Sequence, residues 1–346
     1  MKALTSIVVF LVVGACATQS YREKIQDIKD SVEIIEQDDV EAYSKTITLN
    51  ELRSHLYFLA SDRFEGRASG SKGQKLAAQF LKSYYQREDI PAPNGDDYLQ
   101  IIPSSYFGKG FASTENVYAF IEGEEHPDEV VVISAHYDHE GIDKSGRIYY
   151  GADDDASGTV ALMEMAQAFK MAKEDGNGPG RSILFLHTTA EEIGLQGSRF
   201  YTENPAFPLS KTVANLNIDM IGRVDNYYMK NGGDDYIYII GSDRLSTELH
   251  YINEAVNSTY FDLELDYRYN DEDDRNRYYY RSDHYNFARH NIPVIFYFNG
   301  EHPDYHRVTD TPDKINYELL AKRTRLIFAT AWQLANQESR LLVDKI

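Results

Sequence analysis

Five short runs of nearly unbroken apolar residues constrain this chain more than any other feature: Val130–Ser134, Arg181–Thr189, Val213–Ile218, Tyr236–Gly241 and Ile292–Tyr297. A strand without polar alternation is covered on both faces, as strands inside a parallel sheet are. Helical patterns fall around and between these runs, at Ala156–Lys173, Leu245–Val256 and Tyr317–Asn336. Earlier, apolar residues at 49, 52, 56 and 59 make a helical stripe over Leu49–Leu59, and Leu76–Tyr85 makes a second. The alternation predicts an α/β fold with a mixed, mainly parallel central β-sheet flanked by helices on both faces. No internal repeat or interdomain linker is visible, and about 35 residues from Gly95 to Val130 are too few for an inserted domain. One domain over 46–340 is expected.

The start of the chain and its charge narrow the class. Lys2 precedes the apolar run Ile7–Val13, with Gly14 and Ala15 after it. That is a secretory signal, and about 12 apolar residues cannot cross ~30 Å of hydrocarbon. Val13-Gly14-Ala15-Cys16 resembles a bacterial lipobox, which implies lipidation of Cys16 as the first mature residue. An ordinary signal with an incidental cysteine is the other reading. Ala17 after the cysteine implies, by the sorting rule such signals resemble, an outer-membrane lipoprotein of the cell envelope, with plain secretion as the alternative. The expected organisation is a signal over 1–15, a tether or N-terminal helix over 16–45, and then the domain. With 35 Lys+Arg against 55 Asp+Glu in 346 residues, the formal charge is −20. A chain so acidic repels nucleic-acid phosphate and anionic leaflets alike. Cys16 is the only cysteine, so any metal must be held by His and carboxylate. The 27 tyrosines read as broad amphipathic contacts.

Charged residues collect where the apolar runs end. The first run breaks into His136-Tyr-Asp138, two residues apart and therefore on one face of an extended chain, where a carboxylate can orient an imidazole. Gly151-Ala-Asp153-Asp154-Asp155-Ala-Ser-Gly158 leads into a helix, and adjacent carboxylates repel unless a cation holds them. Glu191-Glu192, Asp219 and His306 follow later runs. The carboxyl ends of strands in an open α/β sheet form the ligand crevice. Five strand exits are therefore expected to deliver His136, Asp154, Glu192, Asp219 and His306 to one rim. Two imidazoles and three carboxylates suit zinc, with manganese or cobalt as alternatives.

In order and type, His136-x-Asp138, Gly-Ala-Asp-Asp154-Asp-Ala-Ser-Gly, Glu191-Glu192, Asp219 and Tyr305-His306 resemble the co-catalytic di-zinc aminopeptidases of the bacterial leucyl and aminopeptidase S/Y type, over about residues 50–335. The resemblance implies a zinc-exopeptidase (phosphorylase/hydrolase-like) catalytic domain that binds two Zn²⁺ and hydrolyses peptides with free amino termini. It implies that Asp154 bridges, that His136 and Asp219 complete one metal, and that Glu192 and His306 complete the other. Glu191 becomes the general base on a metal-bridging hydroxide, Asp138 orients His136, and Tyr305 donates to the oxyanion. It also implies a cis peptide at Asp154–Asp155.

Other residues stay open. Asp283 and His284 read as pocket or supporting residues, and Arg281 as a group that could reach a substrate carbonyl. His187 reads as a core histidine or a rim residue. His139, beside the metal strand, matches no ligand. His55, His126, His250, His290 and His302 read as surface or packing residues. Glu65-Gly66-Arg67 reads as structural. The seven acids of Asp262–Asp274 are a Ca²⁺ site or a solvated loop, and their spacing is not that of an EF-hand. The rival functions are a di-zinc carboxypeptidase or dipeptidase, with Arg281 or Arg223 as its carboxylate anchor, a glutaminyl cyclase, and a non-catalytic peptide-binding protein.

Overall fold

A computed structural model describes residues 20–108 and 110–345. The signal-like segment and Cys16 lie outside the described residues. The strands are β1 (Leu99–Ile102), β2 (Thr114–Ile121), β3 (His126–His136), β4 (Gly141–Ile142), β5 (Ile148–Tyr149), β6 (Arg181–Thr188), β7 (Thr212–Ile218), β8 (Tyr236–Ile240), β9 (Glu264–Asp266) and β10 (Val294–Phe298). Eight of them form one sheet in the order β1-β2-β6-β3-β7-β10-β8-β9, while β4 and β5 pair separately. The centre, β6-β3-β7-β10, is parallel, and β2 and β8 run antiparallel against its two sides. This is the mixed, mainly parallel sheet expected.

Alternate residues of each strand feed opposite faces. Val131, Ile133 and Ala135 of β3 join the larger core with Ile183 and Phe185 of β6, while Val130 and Val132 join Leu184 and Leu186 in a second core on the other face. The first face is covered by helices Gly158–Glu174 and Tyr317–Asn336, and the second by Gln196–Glu203 and His284–Ala288. Burying one large aliphatic or aromatic side chain gives about 1.5–3 kcal/mol, so these two layers dominate the stabilisation. Helix Gly158–Glu174 is apolar almost all round because helices Leu49–Leu59 and Gln37–Ser44 cover the side that the sheet does not. Thr48 and Asn316 cap Leu49–Leu59 and Tyr317–Asn336 by accepting from Glu51 N and Leu319 N. Among the described residues no helix is long and apolar enough to cross a membrane.

Three segments differ from expectation. Part of the segment expected as a tether or N-terminal helix is helical and packed: Val40 and Tyr43 of Gln37–Ser44 are buried, Tyr43 stacks on Trp332 at 5.6 Å, and Trp332 Nε1 donates to Glu36 at 2.8 Å. Helix Tyr21–Ser31, earlier in the same segment, buries nothing. The stretch between Gly95 and Val130 holds β1 and β2. The first half of β2 is polar, and its Asn116 is buried with bonds to Gln100 and Gly197 O, so apolar patterning misses it. The acidic segment 262–274 contains the edge strand β9. Asp266 accepts from Tyr228 and Arg268, and Asp271 and Asp274 accept from backbone N–H groups. None of the acid groupings able to hold a metal lies there among the described residues. Four buried tyrosines, Tyr228, Tyr236, Tyr238 and Tyr278, gather in a third core under β8 and β10.

Candidate metal centre

Strand register sets the site. His136 at the end of β3 pairs with Thr188 at the end of β6, Ala135 pairs with Ile218 at the end of β7, and Ile218 pairs with Tyr297 of β10. Four neighbouring strands thus stop at one level. The residues just beyond them, Glu191, Glu192, Asp219 and the loop carrying His306, share a rim with His136. Asp154 arrives differently from the expected fifth strand exit. It sits in a wide turn, Ala152–Ser157, that opens helix Gly158–Glu174 after the β4–β5 ribbon. The Asp154–Asp155 peptide is cis. Ala190, Met220 and His306 adopt positive φ beside or at these donors. For non-glycine residues that conformation costs of order 1–3 kcal/mol and concentrates at functional sites.

The five expected donors converge. Asp154 Oδ1 lies 3.2 Å from His136 Nε2, which lies 3.5 Å from Asp219 Oδ1. Asp154 Oδ2 lies 3.1 Å from His306 Nε2, which lies 3.2 Å from Glu192 Oε2. One carboxylate therefore turns one oxygen to each of two donor groups. Tetrahedral metal bonds of about 2.0–2.1 Å place donors roughly 3.3–3.4 Å apart, the spacing seen here. His136 Nε2 and Asp154 Oδ2 are buried without a hydrogen-bond partner. Buried groups of this kind are costly unless a cation joins them, so the residues fit a divalent metal.

Supporting groups hold the donors. Asp138 Oδ1 stands 3.7 Å from His136 Nδ1, which also meets the Asp138 carbonyl oxygen at 3.2 Å; Ser69 Oγ donates to Asp138 Oδ2 at 2.5 Å. Asp155, fully buried, accepts from Gly158 N and Met220 N, so it braces the turn, and burial holds it well above the usual carboxylate range. Ser282 Oγ donates to Asp219 Oδ2 at 2.7 Å and accepts from Asn217 Nδ2, which ends a buried chain from Ser134 and Asn215. Glu191 has its carboxylate near His136 and Glu192, and its backbone N–H donates to Asp138. Burial raises Glu191, and Asp219, Glu192 and Asp283 add to the rise against the opposing pull of His136. Tyr305 stacks on His306 at 4.0 Å and, with Asp219, lines a small cleft walled by Met220, Tyr278, Phe296 and Phe298.

The remaining expected residues sit apart from the donors. Arg281 is at the cleft mouth, 3.2 Å from Glu301. Asp283 accepts from Thr188 and Ser198, tying the end of β6 to helix Gln196–Glu203, and burial lifts it to about 6. His284 is a core residue: its ring stacks on Phe296 at 4.8 Å, and burial depresses it to about 3. His187 is also core, bonded to Tyr85 OH at 2.6 Å.

Sequence reasoning missed four groups. His139 Nδ1 meets Glu192 Oε1 at 2.8 Å, and Glu140 Oε1 meets His306 Nδ1 at 3.3 Å. Asp310 accepts from the backbone N of Asp153 and Asp154. His302, read as surface or packing, is buried 3.2 Å from Asp153 Oδ2. Proximity to His136-x-Asp138 is a signal for the first two. The others act through the turn backbone and a neighbouring acid and leave no motif. Arg67, in the segment read as structural, donates to the carbonyls of Leu59, Tyr137, Tyr150 and Gly151.

His and carboxylate donors gathered at the carboxyl rim of an α/β sheet are the donor set of a metal-dependent enzyme, and comparison with known proteins identifies the family. The profile of Peptidase family M28 matches residues 116–331, so the chain belongs to Peptidase family M28, a metallopeptidase family. It is 39% identical over 121 residues to the Probable glutamate carboxypeptidase LAMP1 of Arabidopsis thaliana, covering 34% of this chain and 17% of that one. It is 28% identical over 258 residues to a Probable zinc metalloprotease of Pyricularia oryzae, covering 64% and 50%. The chain spans at most about half the length of these curated relatives. The Legionella pneumophila LapA aminopeptidase superposes with a TM-score of 0.68 at 23% identity, over 88% of this chain and 76% of that one, a likeness of fold.

Proposed function

We propose that the protein is a zinc-dependent aminopeptidase that removes N-terminal residues from peptides. The observation that carries this reading is Asp154, which offers one oxygen to the His136–Asp219 group and the other to the His306–Glu192 group, beside a glutamate, Glu191, left over from both. Two zinc ions held there would act as Lewis acids on the carbonyl oxygen and lower the pKa of the attacking water towards ~7. Glu191 takes the water's proton and returns it to the leaving amine. Tyr305 donates to the developing oxyanion. Asp138 and Ser282 hold His136 and Asp219 in their bonding orientations.

Preference for amino termini rests on charge. Both guanidinium groups that could anchor a substrate carboxylate are already paired: Arg223 with Asp304 at 2.9 Å and Asp310 at 3.7 Å, and Arg281 with Glu301. A rim of carboxylates instead favours an ammonium group. The aminopeptidase name of the Legionella neighbour agrees, while the Arabidopsis relative's carboxypeptidase name keeps that activity as the rival. The location proposed is the cell envelope, by a lipid anchor at Cys16 after removal of residues 1–15. An unmodified Cys16 in the intact mass of the membrane fraction would overturn the anchor.

The test compares one peptide with its N-acetylated twin, using zinc-loaded protein and a chelated control. Cleavage of the free peptide alone, lost on chelation, is expected. Equal cleavage of both would point to a carboxypeptidase or endopeptidase, and cleavage of neither to a cyclase or binding protein.

A further inference from the structure

The residues that follow the first ligand have a task of their own. β3 ends at His136, and the chain continues Tyr137, Asp138, His139, Glu140. His136 and Asp138 serve the His136–Asp219 side of the centre. The next two residues cross to the other side. His139 is fully buried, its Nδ1 is 2.8 Å from Glu192 Oε1, and the other oxygen of Glu192 faces His306. Glu140 Oε1 is 3.3 Å from His306 Nδ1, and the other ring nitrogen of His306 faces Asp154 and Glu192. Each side chain thus touches the rear atom of a donor whose front atom points into the second donor group.

We propose that His139 and Glu140 are positioning residues that clamp Glu192 and His306 from behind and set the affinity of the second metal position without touching the metal. The inference rests on the two-metal reading above. Three observations support it. The His139–Glu192 separation of 2.8 Å is a hydrogen bond, shorter than the roughly 3.3–3.4 Å between two ligands of one tetrahedral metal. His139 Nδ1 also faces Asp154 Oδ2 at 3.7 Å, so the ring proton belongs on Nδ1, and Glu192 Oε1 accepts it while Oε2 stays available. The ring is fixed in place. Its backbone N–H donates to Arg67 O at 3.2 Å, and Gly151 leaves the space it fills: a Cβ there would lie 2.5 Å from His139 Cγ. Outer partners of this kind change metal affinity by about 10–100-fold when removed.

Full-length protein stripped of metal is titrated with Zn²⁺ by calorimetry, and with Co²⁺ by visible absorption. Wild type is expected to bind two ions per chain. A single event or none would defeat the two-metal reading itself. Given two events, His139→Ala should weaken one by about 10–100-fold and leave the other within about twofold. His139→Asn, whose amide N–H can occupy the Nδ1–H position, should restore most of the loss and the wild-type Co²⁺ spectrum. Glu140→Ala, at an exposed position, should weaken the same event by several-fold. If His139→Ala fails to fold, His139→Asn and Glu140→Ala decide the matter alone. The clamp is refuted if neither alanine variant separates the two affinities. It is also refuted if His139→Asn is as defective as His139→Ala with an altered Co²⁺ spectrum, because that would make His139 a ligand.

Discussion

Glu164 allows a pH prediction worked from structure alone. It lies on helix Gly158–Glu174, 1% exposed, and no well-aligned hydrogen bond reaches either carboxylate oxygen, the Thr48 backbone N–H nearby pulling only weakly against the burial. His55 Nε2 is 3.4 Å away and is itself pushed down by burial and by Arg87. Burial, reinforced by Glu51 and Glu88, lifts the Glu164 carboxyl from 4.5 to about 8. The unfolded chain therefore releases this proton near pH 4.5 and the folded chain near 8. Between those values the folded state binds more protons, so stability falls as pH rises, by up to ~1.4 kcal/mol per unit. The contribution is whole below the lower value and gone above the upper one. From pH 5 to 7.5 it amounts to roughly 3 kcal/mol. Glu164→Gln removes the titration and leaves a neutral group of the same shape. Urea unfolding of both proteins at half-unit pH steps should show the variant gaining on wild type by roughly 3 kcal/mol across that range. The titration of His55 is common to both proteins and largely cancels in the difference. A difference that stays flat from pH 5 to 7.5 would refute a neutral, buried Glu164.

Three further outcomes follow from the site. Glu191→Gln should lower kcat by about 10²–10⁴ while metal content, read by mass spectrometry, stays at the wild-type level; retained turnover would remove Glu191 as the base. Gly151→Ala places a Cβ 2.3 Å from Asp154 O and 2.5 Å from His139 at φ +54°, and it should cut activity by about 10²-fold through displaced donors; unchanged metal affinity would argue against this. Arg67→Met takes a donor from four carbonyl oxygens, of which Gly151 O keeps a second in Ala156 N, and should cost at least ~3 kcal/mol in urea, with a smaller loss refuting the brace.

What the sequence disclosed tracks the range of the forces involved. Leu49–Leu59 and Tyr317–Asn336 were legible to the residue because a helical stripe is a local pattern. The parallel strands were legible because burial on both faces leaves unbroken apolar runs. The clustering of His136, Glu191, Glu192 and Asp219 was legible because charge at the end of such a run needs a reason. β2 was hidden because Thr114, Glu115 and Asn116 are buried polar residues satisfied by groups distant in sequence: Thr189, Lys75 and the Gly197 carbonyl. Asp310 and His302 were hidden for the same reason: each acts on the Asp153–Asp154 turn about 150 positions earlier, and no local pattern records that contact. Helix Gln37–Ser44 offered only Val40 and Tyr43, too short a stripe to distinguish from a tether.

The five clustered donors come from positions 136, 154, 192, 219 and 306, so the chain must be made through residue 306 before all five can meet. A ribosome delivers His136 long before His306. On the proposed two-metal reading, a nascent chain carries the His136 motif and the Asp154 turn while still lacking His306, one of the five donors. If the proposed centre carries the activity, its last donor acts as a timer, and a chain that ends before residue 306 lacks a donor of the second group.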